Sequence, residues 1–102
     1  MVTFINIFTV KPEKQQQALQ NIQRVYQEVV RIQPGFISAE LLQSNDGTRV
    51  TALARWESQE NLATLRDNPK FKDLHNQEFF DAIESVEPRF YQQVIELNSV
   101  NI

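Results

Sequence analysis

The sequence predicts a ferredoxin-like α+β fold, β-α-β-β-α-β, in which helices cover one face of a four-stranded antiparallel sheet. Three observations predict it. Strand-like and helix-like apolar periodicities alternate in that order along the 102 residues. Breaker residues stand near the joints, at Pro12, Pro34-Gly35, Gly47, Pro69 and Pro88. The length suits one domain, residues 1–102, and leaves no room for two.

The first strand is Val2 to Val10 (VTFINIFTV), dense in β-branched and aromatic residues and stopped at Lys11-Pro12. Val2, Phe4, Asn6, Phe8 and Val10 share one face; Thr3, Ile5, Ile7 and Thr9 share the other. Glu13 to Gln33 reads as a helix, because Leu19, Ile22, Val25, Tyr26, Val29 and Val30 recur at spacings of three and four. Pro34-Gly35 ends it. Phe36 to Gln43 and Thr48 to Trp56 form the next two strands, joined through Ser44-Asn45-Asp46-Gly47, a turn with an Asp-Gly step. Ser58 caps a short helix starting near Gln59, with Leu62 and Leu65 on its buried side. Asn68-Pro69 opens a longer helix running to about Ser85, with the stripe Phe71, Leu74, His75, Phe79, Ala82, Ile83 and Val86. Pro88 is read as its end, and Arg89 to Leu97 as the fourth strand.

Helices on one face leave the other bare. Ile5, Ile7, Leu41, Leu53, Ile95 and Leu97 are expected there, and an apolar patch of that extent marks a partner surface. A second copy joined sheet to sheet about a two-fold axis is the simplest partner, so a homodimer is expected. A domain of this length buries only about 60–70% of its unfolded surface, which adds to the advantage of a partner.

Composition narrows the chemistry. With no cysteine, disulfides, thiolate catalysis, iron–sulfur ligation and cysteine-bound zinc are excluded within the chain. A single histidine, His75, excludes a three-histidine metal site in one chain. Ten Lys plus Arg against thirteen Asp plus Glu give a formal net charge of -3, which gives no reason to expect a nucleic-acid partner. No segment approaches the ~20 apolar residues of a membrane span, and the opening MVTFINIFTVKPEK lacks the form of a signal peptide; a cytoplasmic location with no membrane partner is expected. The two glycines serve turns, leaving no phosphate-binding loop, and the GxSxG elbow of a serine hydrolase is absent.

Several segments carry a resemblance. The run Pro34-Gly35-Phe36-Ile37-Ser38-Ala39, the Asp46-Gly47-Thr48 turn, Arg55-Trp56-Glu57-Ser58 with its following helix, Pro69-Lys70-Phe71 and the closing strand resemble the antibiotic biosynthesis monooxygenase domain family. The resemblance implies a dimeric α+β barrel with a pocket in each subunit between sheet and helices. It also implies a cofactor-independent monooxygenase acting on a small aromatic, polyketide-like or quinol substrate. A haem-degrading branch of the family implies an alternative, with haem ligated by His75 and with Asn6 near the distal oxygen; there the branch's tryptophan is replaced by Leu65. The polyketide-oxygenase branch is matched at Trp56 and departs at Ala52, Leu53 and Leu62, where it places an asparagine and two tyrosines. A third possibility is a non-catalytic dimeric binder of small hydrophobic molecules.

Each candidate has a plainer reading beside it. His75 is expected to act as a base, against a role as a core histidine satisfied by one hydrogen bond. Asn6, an amide among apolar neighbours that costs ~1–3 kcal/mol if unpaired, is expected to position substrate or oxygen, against a paired structural role. Trp56 is a substrate-binding candidate that more often anchors a core. Phe8, Leu65, Phe71, Phe79 and Phe80 are expected to line a site for a flat apolar ligand, against filling the interior completely. Tyr26 and Tyr91 are possible hydrogen-bond donors, and Arg55 and Arg66 possible mouth residues whose plainer reading is solvated surface.

Overall fold

Strand pairing in the computed structural model, which describes residues 1–100, gives one antiparallel sheet in the order β2-β3-β1-β4. The strands are β1 (Val2–Val10), β2 (Phe36–Gln43), β3 (Arg49–Trp56) and β4 (Ile83–Tyr91). The helices are α1 (Gln15–Glu28), α2 (Gln59–Arg66), α3 (Pro69–Leu74) and α4 (Gln77–Asp81). The chain is therefore ferredoxin-like, with its second helical region divided into three pieces.

β1 occupies a central place, pairing with β3 from Val2↔Trp56 to Thr9↔Arg49 and with β4 on its other side. Its even face packs toward the helices. Phe4, Phe8 and Val10 are buried with Val50, Ala52, Ala54 and Trp56 of β3 and with Ala18, Ile22 and Val25 of α1. β3 contributes two alanines to this face, and alanine leaves space above the sheet that larger residues would close.

Four expectations are corrected. The first helix is shorter than residues 13–33: 3₁₀ turns at Pro12–Lys14 and Val30–Ile32 flank α1, and the second brings Val30 into the core. The helix expected from Pro69 to Ser85 breaks at His75 (φ −91°, ψ 56°). It restarts because the Asn76 side chain accepts the Phe79 N–H at 3.0 Å and so offers a fresh N-cap. The fourth strand begins six residues early, at Ile83, and Pro88 lies inside it. That is tolerated because β4 is an edge strand, where a missing N–H breaks no obligatory ladder bond. Ile95 and Leu97 consequently follow the sheet and stand exposed.

The last correction concerns the bare face. Leu41 is paired with Ala52, so it packs on the helix side, and its neighbour Leu42 (48% exposed) takes the open side opposite Thr51. Ile5, Ile7 and Leu53 lie on that open side as expected, with Ile5 opposite Leu53.

Candidate active site

Between the helix face of the sheet and the helices lies a cavity of about 60 Å³. Its floor is Phe4, Asn6 and Phe8 of β1 with Trp56 of β3. Ile22, Val25 and Tyr26 of α1, with Val30, form one side. Leu62 and Leu65 of α2, Phe71 of α3, His75 and Phe79 of α4 form the other. The seven residues singled out from sequence, His75, Asn6, Trp56, Phe8, Leu65, Phe71 and Phe79, thus meet at one space.

The strand pairing explains why room exists at Asn6. Its neighbours across the sheet are Ala52 on β3 and Pro88 on β4, both short. The Asn6 amide oxygen is buried without a hydrogen-bond partner, and so is the indole Nε1 of Trp56. Trp56 itself is 1% exposed, its ring edge-on to Phe36 with centroids 5.3 Å apart. Both atoms belong to residues that line the cavity, and each costs ~1–3 kcal/mol while it lacks a partner. One offers a donor, the other an acceptor.

His75 is held differently. Its Nδ1 lies 2.7 Å from the Phe71 carbonyl oxygen. A carbonyl only accepts, so Nδ1 carries the proton, and in the neutral ring Nε2 is left with its lone pair. The ring packs against Phe71 (4.1 Å, centroid to centroid) and Phe79 (4.5 Å), both in tilted arrangements. A hydrogen bond selects the tautomer, and two aromatic neighbours restrict the ring.

Among the remaining candidates, Phe80 is 46% exposed and lies outside the cavity lining. Tyr91 sits opposite Thr3 on the open face of the sheet. Arg55 pairs across that face with Glu40 at 4.0 Å, and Arg66 is exposed, so neither guards the cavity. Sequence periodicity marked Ile22, Val25 and Val30 as buried but could not show that their burial leaves a gap; Phe4 was likewise read only as a member of its strand face.

Haem does not fit this arrangement. His75 provides one free nitrogen, but the walls enclose far less than the ~300–1,000 Å³ of ordinary small-molecule sites, and a porphyrin would have to displace them. Among the described residues no cluster of three or more His, Cys, Asp or Glu side chains is placed to hold a metal ion, and no helix is long and apolar enough to cross a membrane.

The chain is thus a ferredoxin-like α+β domain with a small, largely apolar, aromatic-lined cavity between sheet and helices, bordered by one asparagine, one tryptophan and one histidine. The sequence profile of the antibiotic biosynthesis monooxygenase family matches residues 1–77, and the chain belongs to that family. It is 33% identical over 72 residues to the tetracenomycin-F1 monooxygenase of Streptomyces glaucescens, a match spanning 71% of this chain and 64% of that relative's length. It is similar in structure to a monooxygenase from the ActVA-Orf6 gene of Streptomyces coelicolor, solved in complex with nanaomycin D. That likeness has a TM-score of 0.80 at 25% identity and covers 96% of this chain and 92% of that one. A second similar structure is SnoaB of Streptomyces nogalater, a cofactor-independent oxygenase, with a TM-score of 0.75 at 23% identity over 96% and 97% of the two chains.

Proposed function

We propose that this chain is a cofactor-independent monooxygenase that oxidises electron-rich phenolic or quinol-type aromatics with molecular oxygen. The observation that carries the reading is the pairing of unsatisfied Trp56 Nε1 and Asn6 Oδ1 with a tautomer-fixed His75 around one apolar cavity. The family and the relatives' activities support it.

The chemistry needs no electron source beyond the substrate. A ring carbon bearing two hydrogens, activated by a neighbouring phenol or carbonyl, loses a proton to His75 Nε2. The resulting electron-rich anion passes one electron to oxygen; the radical pair combines to a hydroperoxide at that carbon. Loss of water then leaves a carbonyl. One oxygen atom ends in the product and the other in water, with both hydrogens, and the four electrons taken up by oxygen come from the substrate carbon. Trp56 Nε1–H donates to a substrate oxygen that gains charge as the proton leaves, and Asn6 Oδ1 accepts from a substrate hydroxyl. The phenylalanine walls exclude water from the anion.

The test is oxygen uptake by the purified protein with an anthrone, whose central ring carries the required CH₂ carbon, together with ¹⁸O₂ labelling. One labelled oxygen per product and one O₂ per substrate are expected, with a fall of roughly 10²–10⁴-fold in His75→Ala. Uptake no faster than in buffer, or unaffected by His75→Ala and Trp56→Phe alike, removes the reading.

The working unit we infer is a homodimer, in keeping with an open sheet face that carries Ile5, Ile7, Leu42 and Leu53. Sedimentation at twice the 11.9 kDa chain mass, reduced to a single chain mass by Leu53→Glu, is expected. A wild-type chain that sediments alone overturns it.

A further inference from the structure

The cavity is small for its proposed task. An apolar cavity of ~150 Å³ accepts one benzene ring, and the space over Asn6 and Trp56 is about 60 Å³. The missing room lies next door. A surface groove of about 170 Å³ runs between α1 and β2, lined by Tyr26, Gln27, Arg31, Phe36 and Ala39. Tyr26 is the one residue common to the linings of the two spaces.

Its surroundings suit a partition rather than a fixed core residue. Burial alone pushes the Tyr26 phenol up to about 12, with no hydrogen bond or charge contributing. No polar contact of that kind anchors the ring, so turning it breaks no charged pair. On the groove side the floor is Ala39, a small residue on the helix face of β2 opposite Ala54. At the far end, Arg31 uses Nε to bond the Gln27 carbonyl at 3.1 Å, and its terminal nitrogens form no hydrogen bond or ion pair among the described residues.

We propose that Tyr26 is a movable partition, and that cavity and groove together form one channel for elongated, multi-ring aromatics carrying an oxygen-rich or carboxylate end that reaches Arg31. The reacting ring lies over Trp56, Asn6 and His75, and the rest of the molecule passes Tyr26 along Ala39. This rests on the aromatic-substrate reading above and adds its length selection: Tyr26 with Ala39 sets how many rings are accepted.

Trp56 is the chain's single tryptophan, so its fluorescence reports directly on the cavity and gives a readout that needs no turnover. Quenching is titrated with 4-hydroxybenzoate, one ring, and with anthraquinone-2-carboxylate, three rings. Ala39→Leu narrows the groove and is expected to weaken the three-ring ligand by about tenfold while leaving the one-ring ligand within about twofold. Tyr26→Ala is expected to tighten the three-ring ligand by about the same factor, and Tyr26→Phe, which keeps the ring, to change little. Arg31→Gln should weaken anthraquinone-2-carboxylate and spare uncharged anthraquinone. Circular dichroism establishes that each variant is folded, and Tyr26→Phe and Ala39→Leu carry the test if Tyr26→Ala is not. Equal changes for both ligand lengths, or no binding of the three-ring ligand by the wild type, overturn the channel. The two readings separate cleanly: length-selective binding without oxygen consumption sinks the oxygenase and leaves the channel. Oxidation whose length preference is untouched by Ala39→Leu does the reverse.

Discussion

The two walls of the cavity are built on different principles. The strand wall lies on paired central strands, where Phe4 faces Ala54, Asn6 faces Ala52 and Phe8 faces Val50 in unbroken register. The part of the helical wall that carries the imidazole rests on α3 and α4, six and five residues long, with a break at His75 between them. Isolated helices below ~12 residues are marginal in water. These two depend on the side-chain caps of Asn68 and Asn76 and on the tilted ring contacts of Phe71, His75 and Phe79. The difference teaches a division of labour. The polar atoms that would hold a substrate sit where the backbone is fixed on both sides, and the imidazole that would move a proton sits where the backbone can adjust around an incoming ligand.

The strongest way to break the contrast is to hollow out the fixed wall. Trp56→Ala removes the largest fully buried side chain and should cost about 3–5 kcal/mol of unfolding free energy in urea denaturation. Trp56→Phe keeps most of the ring volume, loses the Nε1 donor, and should separate the two roles by lowering activity far more than stability. A Trp56→Phe variant as active as the wild type would remove the donor from the mechanism.

A smaller break comes at the edge of the same wall. Gly35 opens β2 at φ +83°, and a Cβ there would run into the Asn61 side chain on α2. Its carbonyl also accepts from the Glu57 N–H at 2.8 Å, which ties the start of β2 to the end of β3. Gly35→Ala should therefore destabilise by about 1–3 kcal/mol, read from the urea midpoint. An unchanged midpoint would show that α2 can retreat and that this edge is less rigid than its pairing suggests.

The contrast also decides how much could be read from sequence. The strand wall was legible because a period of two, once the even face of β1 is turned inward, places Phe4, Asn6, Phe8 and Val10 together without further information. The turn at Asp46-Gly47 was legible for local reasons too, whereas the first helix ends at Glu28, before the Pro34-Gly35 breaker read as its stop. Beyond residue 70 local rules competed. Phe71, His75 and Phe79 keep helical spacing across the break, so periodicity could not reveal that Asn76 recaps the chain. Pro88 read as a stop because its tolerance depends on β4 being an edge, a property of the assembled sheet. Leu41 and Leu42 were ambiguous until register was known, since a one-residue slip exchanges the faces. The candidate residues came from chemistry and resemblance; the cavity they line, and Tyr26 as its boundary, depend on side-chain volumes in three dimensions.

On the adjustable wall the expected stability effect is smaller and the functional one larger. Asn76→Ala removes the cap of α4 and should cost about 1 kcal/mol. Hydrogen exchange should speed up over α3 and α4 and stay unchanged in β1 and β3. If oxidation rates fall while the strands remain protected, the imidazole's placement is the sensitive element; if exchange rises equally in both walls, the division between them is wrong.

The mildest test separates the walls by pH. At the turn joining β2 to β3, Asp46 Oδ1 accepts from the Thr48 hydroxyl at 2.7 Å, the Thr48 N–H at 3.0 Å and the Ser44 hydroxyl at 2.8 Å. These hydrogen bonds, the Thr48 hydroxyl foremost, pull its carboxyl down from 3.8 to about 2. A carboxylate with a lowered folded-state value contributes stability that is complete above its unfolded value and disappears as pH falls through the folded one. The wild type should thus lose an increment of stability between about pH 4 and pH 2 that Asp46→Asn lacks, so the two unfolding midpoints converge on acidification. The turn belongs to the strand wall, and Asp46 itself is exposed, so the increment is small and salt-insensitive compared with an ion pair. Parallel curves for the two proteins across that window would show that the hydrogen bonds to Asp46 do not hold the hairpin.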